Sequence, residues 1–456
     1  MSNTRSDIDF QKLSPSAWKQ LIQFQLDGQD YAKSMIYHSL EGIDVKPFYT
    51  KEDVKQSIDF PNSTWKIDET IMVYDHVKAS QMAKEAIEFG AVSIHFILLN
   101  PNTNFNELLA GIDLIAVEVK ISLQQLTEVL INQIAQSELH EVIFCIDPIS
   151  KFFVTGNWYT NQKVDFELLS KLLHLSEKGY RVHLEINNYP IAQAGAHSIY
   201  QLALCLAHIA EYLHYLESVN QLQLLNTIYI HMGVGTNYFF EIAKIRALRL
   251  LVPSLANAFN LKIDFDISCQ THSRYYTAYN SVQNLVRSST TLLAAVLSSA
   301  DRISGLAHDH LIYHSTSASR RLIRDQLLIL KHEAGLVKHH HAANGSYYIN
   351  YLTDQMAQKA LQSFKLIEKN KGIIDQLRRT VIQKEIKNQH LKELTLFQKK
   401  EELLIGMNAY EDKKERLKKV AQRKPFSKKN SRKTLIVPIT ARRIAESWEE
   451  KRWNNE

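Results

Sequence analysis

The side chains in this sequence with the types and spacing for chemistry are paired carboxylates and paired histidines. Asp264 and Asp266 alternate along a predicted strand, so both side chains lie on the same face of it. If that face lines an interior, the two carboxylates either perform acid–base chemistry or are neutralised by a cationic partner. His308 and His310 have the same spacing. They either share a metal ion or are polar residues of a loop at the mouth of a barrel, and we favour the loop.

The other histidines and cysteines do not form a convincing metal site. His339, His340 and His341 are adjacent in sequence, and such neighbours point in different directions and rarely bind one ion together. The three cysteines are far apart and form neither a disulfide framework nor a Cys-x-x-Cys pair. We therefore predict no metal site and no cofactor-binding residue in this chain, and a reducing, cytoplasmic compartment.

Glycine-rich phosphate loops are missing as well. Gly233 and Gly235 form a single Gly-x-Gly, but Tyr238 stands where a dinucleotide fingerprint needs its third glycine. The sequence has no Gly-x-x-x-x-Gly-Lys and no Gly-x-Ser-x-Gly. These absences exclude two common types of nucleotide-binding loop and the nucleophile elbow of α/β-hydrolases.

Composition places the chain among globular proteins. Of its 456 residues, 45% are hydrophobic and 22% are charged, which fits neither disorder, collagen nor a membrane protein. No apolar run approaches the length of a membrane span. The segment Met1–Asp7 has no apolar run behind a basic start, so we expect no secretory signal and no membrane partner.

Positive charge is concentrated near the end of the sequence. Residues 411–456 contain 15 Lys and Arg against 7 Asp and Glu. This excess fits either a nucleic-acid or acidic-lipid patch or a solvated tail that lies on an acidic partner. Because only Phe426 interrupts the run from Arg423 to Lys433 with an aromatic ring, the segment has no stacking platform for single strands. We favour the tail and predict no nucleic-acid partner.

The elements that would position these residues are alternating strands and helices. Eight apolar or β-branched runs recur about every 30 residues, which is the repeat of a βα unit. This pattern predicts an α/β fold, an eight-stranded parallel β/α barrel of the TIM type, with an open doubly wound sheet as the structural alternative. The predicted strands are Glu69–Tyr74, Ala91–Leu98, Asp113–Lys120, Glu141–Asp147, Arg181–Asn187, Thr227–Met232, Lys262–Ser268 and Asp301–Leu306.

An N-terminal arm and a C-terminal region flank the predicted barrel. Ser14-Pro15-Ser16 predicts the start of an arm helix, and Asp27-Gly28 predicts the turn that ends it. Amphipathic helices are predicted over Glu241–Leu251 and Gln355–Lys371, and one or two charged helices over Ile374–Glu402. We place the boundaries at 1–65 for an arm that contacts a partner, 66–370 for the barrel, and 371–456 for the C-terminal helices and basic tail.

Five segments, taken together, resemble one known family. They are similar to motifs of the acyl-CoA mutases, in particular of methylmalonyl-CoA mutase subunits, and they follow one another in the same order as in that family. The segments are Glu41–Thr50, Gln193–Ala196, Tyr238–Ala247, Cys269–Thr271 and Gly345–Ile349.

The resemblance implies a barrel whose strands surround the pantetheine arm of an acyl-CoA, with adenosylcobalamin closing one end. In that family the cobalamin lies on a further domain with an Asp-x-His-x-x-Gly motif, and its adenosyl radical carries the hard chemistry. The aromatic residues of the matching segments are expected in the barrel or helix core: Phe239, Phe240, Tyr347 and Tyr348. Arg246 and Arg249 are expected at solvent or an interface.

The sequence departs from the family pattern in four places. None of the 19 histidines has Asp two residues before it. The family's Ser-Gly-Tyr-His is replaced by Asn187–Pro190, so the histidine position is a proline with no side-chain donor. Its Arg-x-His-x-Gln-Thr becomes Asp266–Thr271, which replaces a cation with an anion. Its Tyr-x-Thr-Met-Tyr segment has no counterpart between Tyr49 and Trp65.

The four losses agree with the small, non-catalytic subunit of a heterodimeric methylmalonyl-CoA mutase, in a short form without a cobalamin-binding domain. A large catalytic subunit would bind adenosylcobalamin and convert (R)-methylmalonyl-CoA to succinyl-CoA in propionate metabolism. This chain alone would be inactive, with its barrel filled by its own side chains. It would have no catalytic residues. A degenerate pseudo-site would remain at Tyr189, Pro190, Asp266, Ser268 and Gln270.

An alternative keeps the chain itself as an enzyme. A barrel enzyme of altered specificity would act on another acyl-CoA through Tyr189, Gln270 and the carboxylates of Asp264 and Asp266.

Overall fold

Eight parallel strands close into a barrel, each paired with the next along the chain, and the last strand pairs with the first. The computed structural model describes residues 14–54, 58–60, 64–100, 103–314, 316–339, 341–427 and 432–456. A short antiparallel pair, β1 and β2, lies in the arm. The strands are β1 (Tyr37–His38), β2 (Asp44–Val45), β3 (Lys66–Val73), β4 (Ser93–Leu98), β5 (Glu118–Leu123), β6 (Ile143–Ile146), β7 (Arg181–Asn187), β8 (Thr227–Val234), β9 (Asp264–Thr271) and β10 (Arg302–Ser304).

Helices pack around the outside of the barrel, as the βα repeat predicts. The closed barrel confirms the predicted TIM-type α/β fold, and the open-sheet alternative is wrong. The helices are α1 (Pro15–Gln25), α2 (Tyr31–Met35), α3 (His76–Glu88), α4 (Phe105–Leu108), α5 (Glu128–Ala135), α6 (Pro148–Thr155), α7 (Gln162–Leu173), α8 (Tyr189–Ala194), α9 (Ser198–Ser218), α10 (Tyr238–Ala258), α11 (Gln283–Leu297), α12 (Ser317–Leu328), α13 (Leu336–His339), α14 (Tyr347–Lys369), α15 (Gly372–Arg378), α16 (Val381–Lys399) and α17 (Glu446–Asn454).

The third barrel strand begins later than predicted. We expected it over Asp113–Lys120, and it lies over Glu118–Leu123. The carboxylate of Asp113 accepts hydrogen bonds from the backbone N–H groups of Ile115 and Ala116, at 3.0 and 3.2 Å. These bonds fix a local turn of the kind that Asp favours, and the strand starts after it.

The arm begins with the predicted helix. The Ser14 hydroxyl accepts the backbone N–H of Ala17 at 3.1 Å and caps α1, with Pro15 in its first turn. Asp27 and Gly28, both with positive φ, form the turn that follows. Predictions on residues 1–13, and part of the stretch between Tyr49 and Trp65, lie outside the described residues.

Three of the family-like segments meet on one side of the barrel. The ring of Tyr49 stacks on Tyr348 with centroids 5.1 Å apart, and Phe239 contacts the same ring at 5.2 Å. Phe240 is buried as expected, whereas Phe239 and Tyr347 are each more than two-fifths exposed, so for these two the expected core position is wrong.

The two arginines of α10 are structural rather than solvated, which corrects our expectation. Arg246 is fully buried and donates to Asn344 at 2.9 Å, so it ties α10 to the segment before α14. Arg249 is largely buried and pairs with Asp301 at 2.7 Å.

The C-terminal segment folds back over the carboxyl ends of the strands. The backbone N–H of Arg442 donates to the carbonyl of Gln193 at 3.0 Å, and that of Ile444 donates to the carbonyl of Arg274 at 3.0 Å. Glu449, fully buried, accepts the backbone N–H of Ala278 at 2.7 Å. In the predicted basic run, residues 428–431 lie outside the described part of the chain.

None of the described helices combines the length and the apolar character that a membrane crossing requires.

Candidate functional site

Inside the barrel, the lower part of the axis is filled by a cluster of ions. Lys120 of β5, fully buried, donates to the carboxylate of Asp266 on β9 at 2.8 Å. Arg302 of β10 donates to the same carboxylate oxygen at 2.7 Å and also pairs with Glu118. The ring of Tyr229 lies against the ammonium of Lys120, 3.7 Å from Nζ to the centroid. Two cations thus share one aspartate in the lower part of the barrel axis.

This geometry decides between the two roles that the sequence leaves open for Asp266. Burial by itself raises the pKa of Asp266, but the charges of Lys120 and Arg302 outweigh burial and hold the pKa well below its ordinary value. The carboxylate is therefore ionised and neutralised by its partners, and it is unsuited to acid–base work near neutral pH. Asp264, at the start of the same strand, is exposed.

The middle of the axis is filled by buried polar groups that alternate with the apolar residues facing the helices. Nε2 of His95 lies 2.6 Å from the hydroxyl of Ser122. Burial raises the pKa of Glu185 to about 8, and the hydrogen bond from Ser122 opposes this only in part. Ser268, one of the predicted pseudo-site residues, belongs to this layer and is 1% exposed. A neutral carboxyl group at this depth serves packing, since solvent does not reach it.

The upper end of the axis is closed by Tyr189, the first residue of α8. Its ring stacks on His231 of β8, with centroids 5.2 Å apart and planes 15° apart. Its hydroxyl accepts from the Gln193 side chain at 2.9 Å and donates to the Thr271 carbonyl at 3.2 Å. Gln270 lies near His231, whose pKa is lowered to about 4 by burial and by the charge of Lys120. The hydroxyl of Tyr189 therefore has both of its hydrogen-bond partners within the protein.

The structure brings together only part of the predicted pseudo-site. Tyr189, Pro190 and Gln270 lie together at the top of the barrel, while Ser268 and Asp266 lie progressively deeper along β9. Pro190 occupies the first turn of α8, where the missing backbone N–H costs no hydrogen bond.

The remaining candidates do not form a site. His308 and His310 lie in the loop after β10, as favoured, and Nδ1–H of His310 donates to the Ala307 carbonyl of the same loop at 2.9 Å. The three cysteines are buried and free. Within the described ranges no three His, Cys, Asp or Glu side chains are arranged to hold a metal ion. His340 of the histidine tract lies outside those ranges.

Sequence reasoning missed most of the ion cluster, although a signal was present. Lys120 and Ser122 alternate along β5, and Tyr229 and His231 alternate along β8, each pair on the same face of its strand. Polar residues at alternate positions of strands that are otherwise buried indicate a polar barrel interior.

Above the barrel lies a cavity of about 430 Å³ between the arm, the strand ends and the C-terminal segment. Four of its lining side chains are carboxylates, and they come from three separate parts of the chain. These are Glu41, Glu241, Glu393 and Glu402.

Comparison with known proteins gives a consistent result. The family model described as methylmalonyl-CoA mutase matches residues 90–451. The methylmalonyl-CoA mutase small subunit of Porphyromonas gingivalis is 26% identical over 441 residues, covering 88% of this chain and 70% of that protein. The mitochondrial methylmalonyl-CoA mutase of Homo sapiens is 24% identical, covering 89% of this chain and 62% of that protein.

A large subunit also aligns. The methylmalonyl-CoA mutase large subunit of Propionibacterium freudenreichii subsp. shermanii is 28% identical over 233 residues, covering 50% of this chain and 32% of that protein. The chain thus spans less than two thirds of the human protein and of this large subunit.

Proposed function

The chain belongs to the methylmalonyl-CoA mutase family, and from this premise we propose that it is the small, non-catalytic subunit of a heterodimeric mutase. Its partner would be a large catalytic subunit that binds adenosylcobalamin and interconverts (R)-methylmalonyl-CoA and succinyl-CoA. The complex would work in the cytoplasm, in propionate metabolism.

The observation that carries the proposal is the filled barrel axis. A barrel that surrounds a pantetheine arm needs an open channel along its axis. Here the shared aspartate Asp266, with Lys120 and Arg302, occupies the lower axis, and Tyr189 stacked on His231 occupies the upper end. Opening a channel would separate buried opposite charges, which is strongly unfavourable.

The cofactor does not fit the described residues either. The face above α8 and the ends of β8 and β9 is covered by the chain's own segment through Arg442 and Ile444. The printed sequence has no Asp-x-His pair to supply a lower ligand to cobalt. We therefore derive no catalytic step for this chain and assign cobalamin binding to the partner subunit.

Two features support a partner protein. The names of the relatives include both a small and a large subunit. Helix α1 has no buried residue, and it exposes the side chains of Trp18, Leu21 and Phe24, the last by 83%. Contiguous apolar side chains on an unburied helix are typical of an interaction surface. This supports the prediction that the arm contacts the large subunit.

Co-purification tests the proposal. The tagged chain is co-expressed with a candidate large subunit that carries Asp-x-His-x-x-Gly, and the purified material is assayed for cobalamin content and mutase activity. We expect a one-to-one complex with one cobalamin and full activity, and no cobalamin on the chain alone. The variant Trp18→Ala/Phe24→Ala should weaken the complex, whereas the exposed Val129→Ala on the barrel should not.

Two outcomes would contradict the subunit role. One is cobalamin uptake by the isolated chain at micromolar affinity. The other is thermal stabilisation of the isolated chain by an acyl-CoA that disappears in Gln270→Ala, which would support the alternative of a barrel enzyme with altered specificity.

A further inference from the structure

The cavity above the barrel is lined by three separate parts of the chain among others. Residues of the arm, including Tyr37 and Glu41, line it. The turn after β9, with His272 and Tyr275, and the segment after α16, with Glu402, line it as well. With a volume of about 430 Å³, it falls within the range of small-molecule sites.

The charges around this cavity do not balance. Lys244 pairs with Glu241 at 2.5 Å, and Arg274 pairs with Glu393 in a buried ion pair. Glu41 and Glu402 have no Lys, Arg or His nitrogen within 4.0 Å in the described part of the chain. These two carboxylates of the lining thus form no ion pair in the described part of the chain.

A second, independent feature is an unused donor or acceptor in the floor. His272 is 5% exposed, lines the cavity, and its Nδ1 has no hydrogen-bond partner among the described residues. Burial, together with the charges of Lys244 and Arg274, holds the pKa of His272 well below its ordinary value, so the imidazole is neutral. A neutral imidazole nitrogen can accept a hydrogen bond from a ligand N–H.

The lining also contains apolar and aromatic surface. The rings of Tyr37, Tyr275 and Phe397 border the same space as the two unpaired carboxylates. Aromatic faces combined with carboxylates are the environment that recognises organic ammonium groups. A metal ion is a poorer match, because no described group of three His, Cys, Asp or Glu side chains converges on one point.

We propose that this cavity binds a small organic dication of the aliphatic di- or polyamine class, with one ammonium on Glu41 and another on Glu402. The carbon chain of the ligand lies against the aromatic rings between them. This inference goes beyond the subunit role and does not depend on it.

The protonation behaviour of the two carboxyl groups is consistent with this assignment. Burial, with Glu241 and Glu393 nearby, raises the pKa of Glu41 to about 7. Burial, with Glu393 and Glu41 nearby, raises the pKa of Glu402 to about 7. The other titratable groups facing them are Tyr37, His197, His272 and the two ion pairs. A bound dication would supply the charges that the protein lacks.

Calorimetric titration of the full chain at pH 8 and low salt tests the proposal, with putrescine and spermidine as probes and n-butylamine as the singly charged comparison. We expect saturable binding of the diamine and at least about tenfold weaker binding of n-butylamine, because one carboxylate stays unpaired. Glu41→Gln and Glu402→Gln should each weaken binding about tenfold, and Glu402→Lys should abolish it by placing a tethered ammonium in the cavity.

The matched control is Glu401→Gln. Glu401 is adjacent to Glu402 but exposed, and it lies 3.9 Å from Lys399. Its substitution should change the affinity by less than about twofold. The melting temperature of every variant, with and without putrescine, separates loss of the site from loss of the fold. Absence of saturable diamine binding would overturn the proposal, and so would unchanged binding in the two glutamine variants or an equal loss in Glu401→Gln.

Discussion

Two pairs of carboxylates in this molecule, one in the lower barrel and one in the cavity at its mouth, differ in whether a cation contacts them. In the lower barrel, Asp266 and Glu118 each contact a lysine or arginine side chain. In the cavity at the mouth, Glu41 and Glu402 contact none within the described ranges. Both pairs of carboxylates are therefore at least partly buried, but only the pair in the lower barrel is neutralised by cations. The compensated cluster fills the barrel, and the uncompensated pair leaves a negative potential open to a ligand.

The pKa values of carboxyl groups in the two regions are shifted in opposite directions, and neighbouring charges contribute to the shift in both regions. Burial raises the pKa of every carboxyl group, and in Asp266 the charges of Lys120 and Arg302 reverse that effect. In Glu402 the neighbouring Glu393 and Glu41 add to it. Neighbouring cations therefore reverse the effect of burial on the pKa of Asp266, whereas burial remains the largest cause of the raised pKa of Glu402 and Arg274 opposes it only in part.

The largest expected effect comes from breaking the compensated cluster. Lys120→Met leaves Asp266 with one cation fewer at the centre of the barrel, and it should lower the free energy of unfolding by about 3–5 kcal/mol. Denaturant unfolding monitored by circular dichroism measures this. Lys66→Met is the matched control. Its ammonium pairs with Glu118 at 2.9 Å but is 41% exposed, so the loss should stay below about 1 kcal/mol. Equal effects of the two variants would remove the distinction between the regions.

A smaller effect should follow from Glu185→Gln in the middle layer. The pKa of Glu185 is about 8 in the folded protein against 4.5 ordinarily, so the folded state retains a proton that the unfolded state loses. Stability from this group is complete below about pH 4.5 and declines as pH rises toward 8. The decline from pH 5 to 8 should be smaller in Glu185→Gln by about 2 kcal/mol or more. Exposed Glu141→Gln serves as control, and parallel pH profiles for Glu185→Gln and the parent protein would refute a neutral Glu185.

The cavity pair should respond to pH in the same direction but more weakly, because both side chains are partly exposed and solvent screens their charges. Glu41 and Glu402 both have a pKa of about 7 when folded, so their contribution to stability falls between about pH 5 and 8. The double variant Glu41→Gln/Glu402→Gln should melt higher than the parent protein at pH 8, by about 1 kcal/mol of unfolding free energy, and equally at pH 5. Thermal melts at the two pH values test this. A lower melting temperature of the variant at pH 8 would mean that a cation compensates the pair after all.

The smallest effect on stability is expected at Asp264, two residues before the buried Asp266. Asp264→Asn, at an exposed position, should change stability by less than about 0.5 kcal/mol. Asp266→Asn leaves two buried cations without their shared anion and should cost several times more. Comparing the two variants by denaturant unfolding isolates the interior position from its sequence neighbour. Similar losses would place Asp264 in the cluster as well.

Much of the fold could be predicted from local patterns, because caps, turns and the βα repeat depend on residues that are close together in sequence. Helix α1 begins after Ser14, as Ser14-Pro15-Ser16 predicts, and the predicted strand Arg181–Asn187 matches β7 at both ends. The third strand was misplaced because the turn made by the Asp113 carboxylate competes with strand formation. The pseudo-site stays a prediction, and the residues that surround its members could not be predicted from local patterns.

The ion cluster and the cavity could not be assembled from sequence, since their members are brought together only by barrel closure and by the return of the C-terminal segment. Lys120 and Asp266 are 146 residues apart. Glu41 and Glu402 meet across a space whose walls come from the arm and from the chain after α16. The alternation of polar residues in β5 and β8 predicts that the interior is polar, but not which charges pair.

The C-terminal segment that covers the strand ends also delays the closing of the barrel mouth during translation. All eight barrel strands leave the ribosome before residues 432–456 are synthesised. The carbonyl of Gly156 accepts a hydrogen bond from the backbone N–H of Leu435. The hydroxyl of Tyr279 donates to the carboxylate of Glu456, which follows it by 177 residues. The mouth of the nascent barrel therefore remains uncovered until residues 432–456 have been synthesised.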